Sequence, residues 1–104
     1  MTNVLISRNW PEIKELRRTT ICSPSQWEGE LADGRAIYIR FRHDELSLRI
    51  APEGGTIDDA IAAPPALTID DHEEKRDGLI ELDEMLALTG LRLSPELEAH
   101  RDRL

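Results

Sequence analysis

Two groups of side chains carry whatever chemistry this sequence offers. The first is Tyr38, Arg40, Arg42 and Arg49, a phenol and three arginines in a stretch of alternating residues. A guanidinium donates through a planar fork that matches phosphate or carboxylate. A sheet face with an aromatic among arginines can hold anions or stacked bases. Glu28, Glu30 and Glu45 fall in the same lattice, beside Ser47, and cross-strand pairing with them would neutralise much of the field. The second group is acidic: Asp58, Asp59, Asp70, Asp71, Glu73, Glu74, Asp77, Asp83 and Glu84. Such a surface can imitate the charge of a nucleic acid or dock on a basic protein. A divalent cation is a third use for carboxylates, but the spacing of a calcium loop is missing. No metal site and no cofactor are expected.

The usual nucleophiles and bases stand in uninformative places. His43, His72 and His100 lie far apart with no ligand spacing. His43 reads as a turn residue and His100 as the edge of an apolar stripe. Cys22 has no base beside it and reads as a small buried hydrophobe. Ser23, Ser25 and Ser94 lack a Gly-x-Ser-x-Gly setting. No phosphate loop or dinucleotide fingerprint occurs, and no catalytic residue is assigned.

Charge narrows the partner. The net charge of the 104 residues is −8, which argues against duplex nucleic acid. Residues 52–90 hold eleven of the acidic side chains and two basic ones, so a partner would feel a dipole, not a uniform field. One cysteine fits a reducing cytoplasm. No apolar run approaches membrane-spanning length, and the first residues do not read as a signal peptide.

The elements that must position these groups centre on residues 23–51, which predict a three-stranded antiparallel meander. A two-residue turn at His43-Asp44 opposes Phe41 to Leu46, Ile39 to Leu48 and Ile37 to Ile50 on one face. The other face then pairs Arg42 with Glu45, Arg40 with Ser47 and Tyr38 with Arg49. For the first hairpin, an odd-length loop over Asp33-Gly34-Arg35, or a bulge, sets Leu31 against Ile37, Trp27 against Phe41 and Glu28 against Arg40. Trp27 is then a core residue, whereas Trp10 is left open between core and surface.

Around the meander, Asn9, Pro11 and Glu12 predict a short helix over 10–18, with Ile13 and Leu16 inward and Lys14, Arg17 and Arg18 in water. Thr56 and Asp59 predict a helix over 57–63, stopped by Pro64-Pro65. Residues 66–69 read as extended and 70–77 as a charged loop. Leu82, Met85, Leu86 and Thr89 share a helical face before Gly90. Ser94-Pro95 opens a last helix with Leu97, His100 and Leu104 on one stripe.

The strings Pro24-Ser25-Gln26-Trp27-Glu28-Gly29, Asp33-Gly34-Arg35 and Ile37 to His43, with Leu82 to Leu91, resemble a group of small bacterial proteins. The resemblance covers roughly residues 20–51 and 79–93, and this chain departs from it at Asp44. It implies that the meander is one folding unit and implies no activity, cofactor or site residue.

The sequence therefore predicts a single α+β domain over 1–104: a meander of three or four antiparallel strands at 23–51, packed on one face by about three short helices, and an acidic helical region at 52–104. The favoured function is a small cytoplasmic, non-enzymatic protein-binding module whose acidic surface occupies a basic partner. Inhibitor, immunity and anti-defence proteins fit that description by charge and size alone. The alternative is anion, nucleic-acid or small-ligand binding on the Tyr38 and arginine face. No membrane partner is expected, and an exposed edge strand leaves a homodimer open.

Overall fold

Alternation of apolar and polar side chains is strongest from Ala36 to Ile50, and the sheet is built outward from that hairpin. The computed structural model describes residues 10–20, 25–42, 45–70 and 80–103. Its strands are β1 (Ile13–Arg18), β2 (Ser25–Leu31), β3 (Ala36–Arg42), β4 (Glu45–Ile50) and β5 (Pro65–Asp70). Its helices are α1 (Ile57–Ala62), α2 (Leu82–Thr89) and α3 (Pro95–Glu98), followed by a 3₁₀ turn at Arg101–Arg103. Among the described residues the five strands form one sheet in the order β1-β2-β3-β4-β5, and every neighbouring pair is antiparallel. The class is α+β, with five strands where three or four were expected.

The β3–β4 register is the one the sequence predicts, from Ile37↔Ile50 to Arg42↔Glu45; the turn itself, at 43–44, lies outside the described residues. The β2–β3 register differs. Trp27 opposes Ile39 and Gly29 opposes Ile37, a shift of two residues from the expected pairing. The loop is odd-length, but it occupies Ala32-Asp33-Gly34, closed by the Leu31 N–H donating to the Arg35 carbonyl at 2.9 Å. Gly34 takes a φ of 93°, the left-handed residue that a three-residue hairpin loop needs. A shift of two leaves every side chain on its expected face.

The predicted helix over 10–18 is instead β1. A bulge between Ile13 and Glu15 puts two β1 residues against one of β2. Ile13 and Leu16, three apart as on a helix, both turn inward from an extended strand. The start of β1 is also held by residues 92–94: the Ile13 N–H donates to the Arg92 carbonyl at 2.8 Å, and the Ser94 N–H to the Ile13 carbonyl at 2.9 Å. Trp10 settles on the core, with Nε1 donating to the Thr89 carbonyl at 2.8 Å.

The helices do not all lie on one face. The main core joins Ile13, Leu16, Trp27, Leu31, Ile37, Ile39, Phe41, Leu46 and Leu48 to Ile80, Met85, Leu91 and Leu93, so α2 covers this first face. On the opposite face a smaller cluster forms from Ala36, Tyr38, Ala51 and Ala60, with Ile57 against it, and α1 sits there. Alternation explains the split. Tyr38 and Ala36 leave a small apolar spot on the second face, and the one fully buried residue of α1, Ala60, is small enough to lie flat on it.

Local chemistry sets both longer helices. Thr56 and Asp59 form the expected capping box, the Thr56 N–H donating to Asp59 Oδ2 at 2.8 Å and the Asp59 N–H to Thr56 Oγ1 at 3.3 Å. α1 ends at Ala63, which is extended because a proline follows it. α2 ends at Gly90 with a φ of 78°, and the Gly90 N–H donates to the Leu86 carbonyl at 2.9 Å. The last helix is a single turn: Ser94 caps it by accepting from the Leu97 N–H at 3.2 Å, and His100 follows it, exposed and off the expected stripe. Leu104 lies outside the described residues.

Candidate functional site

The second face of the sheet is only partly covered by α1, and beside the helix it opens into a cavity of about 440 Å³ lined by Tyr38, Arg40, Arg42, Glu45, Ser47, Arg49 and Ile61. The floor is alternate residues of β3 and β4. Because Tyr38↔Arg49, Arg40↔Ser47 and Arg42↔Glu45 are direct cross-strand partners, the strand register alone assembles six of the seven. The polar row through Arg40 continues sideways to Gln26 on β2 and Thr68 on β5. The wall is Ile61 of α1, a large apolar side chain left 42% exposed.

Each floor residue has a distinct environment. Tyr38 is 8% exposed beneath α1, so its ring supports the helix and is not free for a base to stack on. Arg49 Nη1 donates to the Ala63 carbonyl just past α1. That end of the helix carries no basic residue of its own, and the guanidinium meets carbonyls that a helix leaves unpaired. Arg40 is half-buried, and its Nε is buried with no hydrogen-bond partner among the described residues. Leaving a buried donor unmet costs about 1–3 kcal/mol. Arg42 is exposed at the rim.

The expected neutralisation by Glu28 and Glu30 does not occur, because β1 claims both. Arg17 Nη2 lies 2.9 Å from Glu28 Oε1, and Lys14 Nζ lies 3.1 Å from Glu30 Oε2. Among the described residues, ion pairs also involve Arg18, Arg35 and Arg101, whereas Arg40, Arg42 and Arg49 take part in none. Among the described residues the pocket lining thus holds three guanidinium groups and one carboxylate, Glu45, with Asp70 the cross-strand partner of Glu45 on β5, in a chain whose net charge is −8. The four residues of the alternative sheet-face site all meet here.

The acidic group is not brought together in the same way. Asp58 and Asp59 open α1 on the second face, while Asp83 and Glu84 open α2 on the first. Asp59 is engaged in its capping box. Glu84 Oε1 accepts from the Glu81 N–H at 3.3 Å. Asp83 Oδ1 receives Arg101 Nη1 at 2.5 Å, and together with Glu98 it raises the pKa of Arg101. Asp70 ends β5 opposite Glu45. Asp71, Glu73, Glu74 and Asp77 lie outside the described residues, as do Cys22, Ser23, His43 and His72. Ser25 is buried, with its Oγ accepting from the Ile80 N–H at 3.0 Å and from Arg18 Nη2 at 3.0 Å, a structural role. No cluster of three potential metal ligands occurs among the described residues, and no helix there is long and apolar enough to cross a membrane.

Ile61 is the pocket residue the sequence reading passed over. Its signal was present: Ile57, Ala60 and Ile61 form an apolar stripe at helical spacing, of which Ile57 and Ala60 join the small cluster under α1 while Ile61 stays exposed. No protein-family model, no curated protein and no solved structure matches this chain.

Proposed function

We propose that this protein is a non-enzymatic binding module for a small anionic molecule, held on the second face of the sheet by Arg40 and Arg42 and screened by α1. The observation that carries the reading is a pocket whose described lining holds three guanidinium groups and one carboxylate, with none of the three guanidinium groups in an ion pair among the described residues. An anion accepts charge-assisted hydrogen bonds from guanidinium groups that line the cavity. A small ligand fits better than a nucleic acid, since the Tyr38 ring is covered and a long polyanion would feel the whole charge of −8. The basic protein partner expected of the acidic surface finds less support, because the described carboxylates are divided between two faces. A reducing cytoplasm suits the lone cysteine and this reading equally.

The test is a titration of the intact chain with inorganic phosphate, followed by the Nε–Hε resonances of its arginines. The Arg40 signal is expected to move and saturate, and Arg40→Gln to lose binding by about ten-fold or more. Charge reversal at Asp58 and Asp83 is expected to leave binding in place. Loss of binding in the carboxylate variants with none in Arg40→Gln refutes the proposal.

A further inference from the structure

Resting on the anion-pocket reading, we infer that the ligand is a phosphate monoester with a compact apolar body: the phosphate meets Arg40, Arg42 and Ser47, and the body lies against Ile61. Three observations converge on that class. The first is the layout of donors. Arg40 and Arg42 are alternate residues on one strand face, about 7 Å apart, and Ser47, the cross-strand partner of Arg40, lines the same cavity. A carboxylate has two coplanar oxygens and is matched by one guanidinium fork. A phosphate monoester presents three acceptor oxygens in different directions, which two forks and a hydroxyl can share.

The second observation is charge. Arg49 also lines the cavity, but its Nη1 is engaged at the end of α1; Arg40 and Arg42 are the lining guanidinium groups not tied to the helix. A phosphate monoester carries close to two negative charges at neutral pH, one for each. The third is space. A phosphate group displaces roughly three waters, on the order of 90 Å³ at about 30 Å³ each, in a cavity of about 440 Å³. The remaining volume borders Ile61, whose 42% exposure would be lowered by an apolar group and not by water.

The experiment compares inorganic phosphate, phenyl phosphate and benzoate on the full-length chain at constant ionic strength, read by the Arg40 Nε–Hε shift and by calorimetry. Phenyl phosphate is expected to bind about ten-fold more tightly than either of the others. Ile61→Ser is expected to bring phenyl phosphate to within about two-fold of inorganic phosphate. Arg40→Lys, which keeps the charge and removes Nε, and Arg42→Gln are expected to weaken phenyl phosphate; an unchanged amide spectrum elsewhere shows that they fold. Equal affinity for the two phosphates overturns the apolar body and leaves the anion pocket standing. Benzoate equal to phenyl phosphate overturns the phosphate. Absence of binding by all three overturns the pocket itself and this inference with it.

Discussion

Arg17 and Glu28 face each other across β1 and β2, Nη2 to Oε1 at 2.9 Å, on the sheet face that holds the pocket. As an exposed ion pair it contributes at most about 1 kcal/mol to stability. Its larger effect is to occupy a carboxylate that lies diagonally across from Arg40. At about 7 Å in water a full charge is worth about 0.6 kcal/mol. Arg17→Ala is therefore expected to weaken phosphate binding about three-fold at low salt, less at high salt, and Arg17→Ala with Glu28→Gln to restore it. Equal affinities for all three proteins at low salt would show that Glu28 does not reach the pocket.

Gly29 lies directly across from Leu16 of β1. A Cβ at that position would lie 2.1 Å from the Glu15 carbonyl oxygen and 3.1 Å from Leu16 Cα, both backbone atoms fixed by the bulge. Gly29→Ala must open the β1–β2 pairing and is expected to cost about 3 kcal/mol, measured by denaturant unfolding. A loss below about 1 kcal/mol would mean that β1 can separate cheaply from the sheet.

Thr56 lies outside the pocket but starts the helix that walls it. Thr56→Ala removes the acceptor for the Asp59 N–H and is expected to cost about 1 kcal/mol. If Ile61 shapes the site, the same change lowers affinity for phenyl phosphate more than for inorganic phosphate, and Thr56→Ser restores both. An unchanged ratio between the two ligands would separate the helix start from the site.

The fold alters the titration of Asp33. The Arg35 backbone N–H donates to Oδ1 at 3.1 Å, and Arg35 Nε to Oδ2 at 2.8 Å. The backbone bond first, opposed by some desolvation and helped by the side-chain bond, holds its pKa below the ordinary 3.8. A depressed carboxyl pKa stabilises the fold above the unfolded value and loses that contribution as pH falls through the folded one. Carboxyl-carbon NMR is expected to give Asp33 a midpoint below that of free aspartate. In Asp33→Asn the acid limb of the stability profile becomes shallower. A midpoint at or above 3.8 contradicts the hydrogen-bonded loop.

What the sequence made legible divides along physical lines. Faces were readable, because alternation in Ile37, Ile39 and Phe41 has only one solution when one side is buried. Registers were readable where both faces constrained them, as between β3 and β4. They were not readable between β2 and β3, since a shift of two residues preserves every face and only the left-handed Gly34 decides. β1 was hidden because a bulge gives strand residues Ile13 and Leu16 the spacing of a helix. That one misassignment concealed more than a strand. With Lys14 and Arg17 on a helix, Glu28 and Glu30 stay available to the arginines, and the sheet face reads as neutral. Once β1 pairs with β2, the same carboxylates are engaged with Lys14 and Arg17, away from the pocket arginines.

α1 occupies the connection between β4 and β5, which are antiparallel neighbours. Such neighbours can be joined by two residues, so the sheet does not require the detour at 51–64. The two sides of the pocket therefore answer to different constraints. The positions of the arginine floor are fixed by the strand register. The wall is an insertion, and changing the length of a loop alters closure entropy only slightly. A lineage, or an engineer, could exchange that segment and change what borders the cavity while leaving the arginine floor as it is.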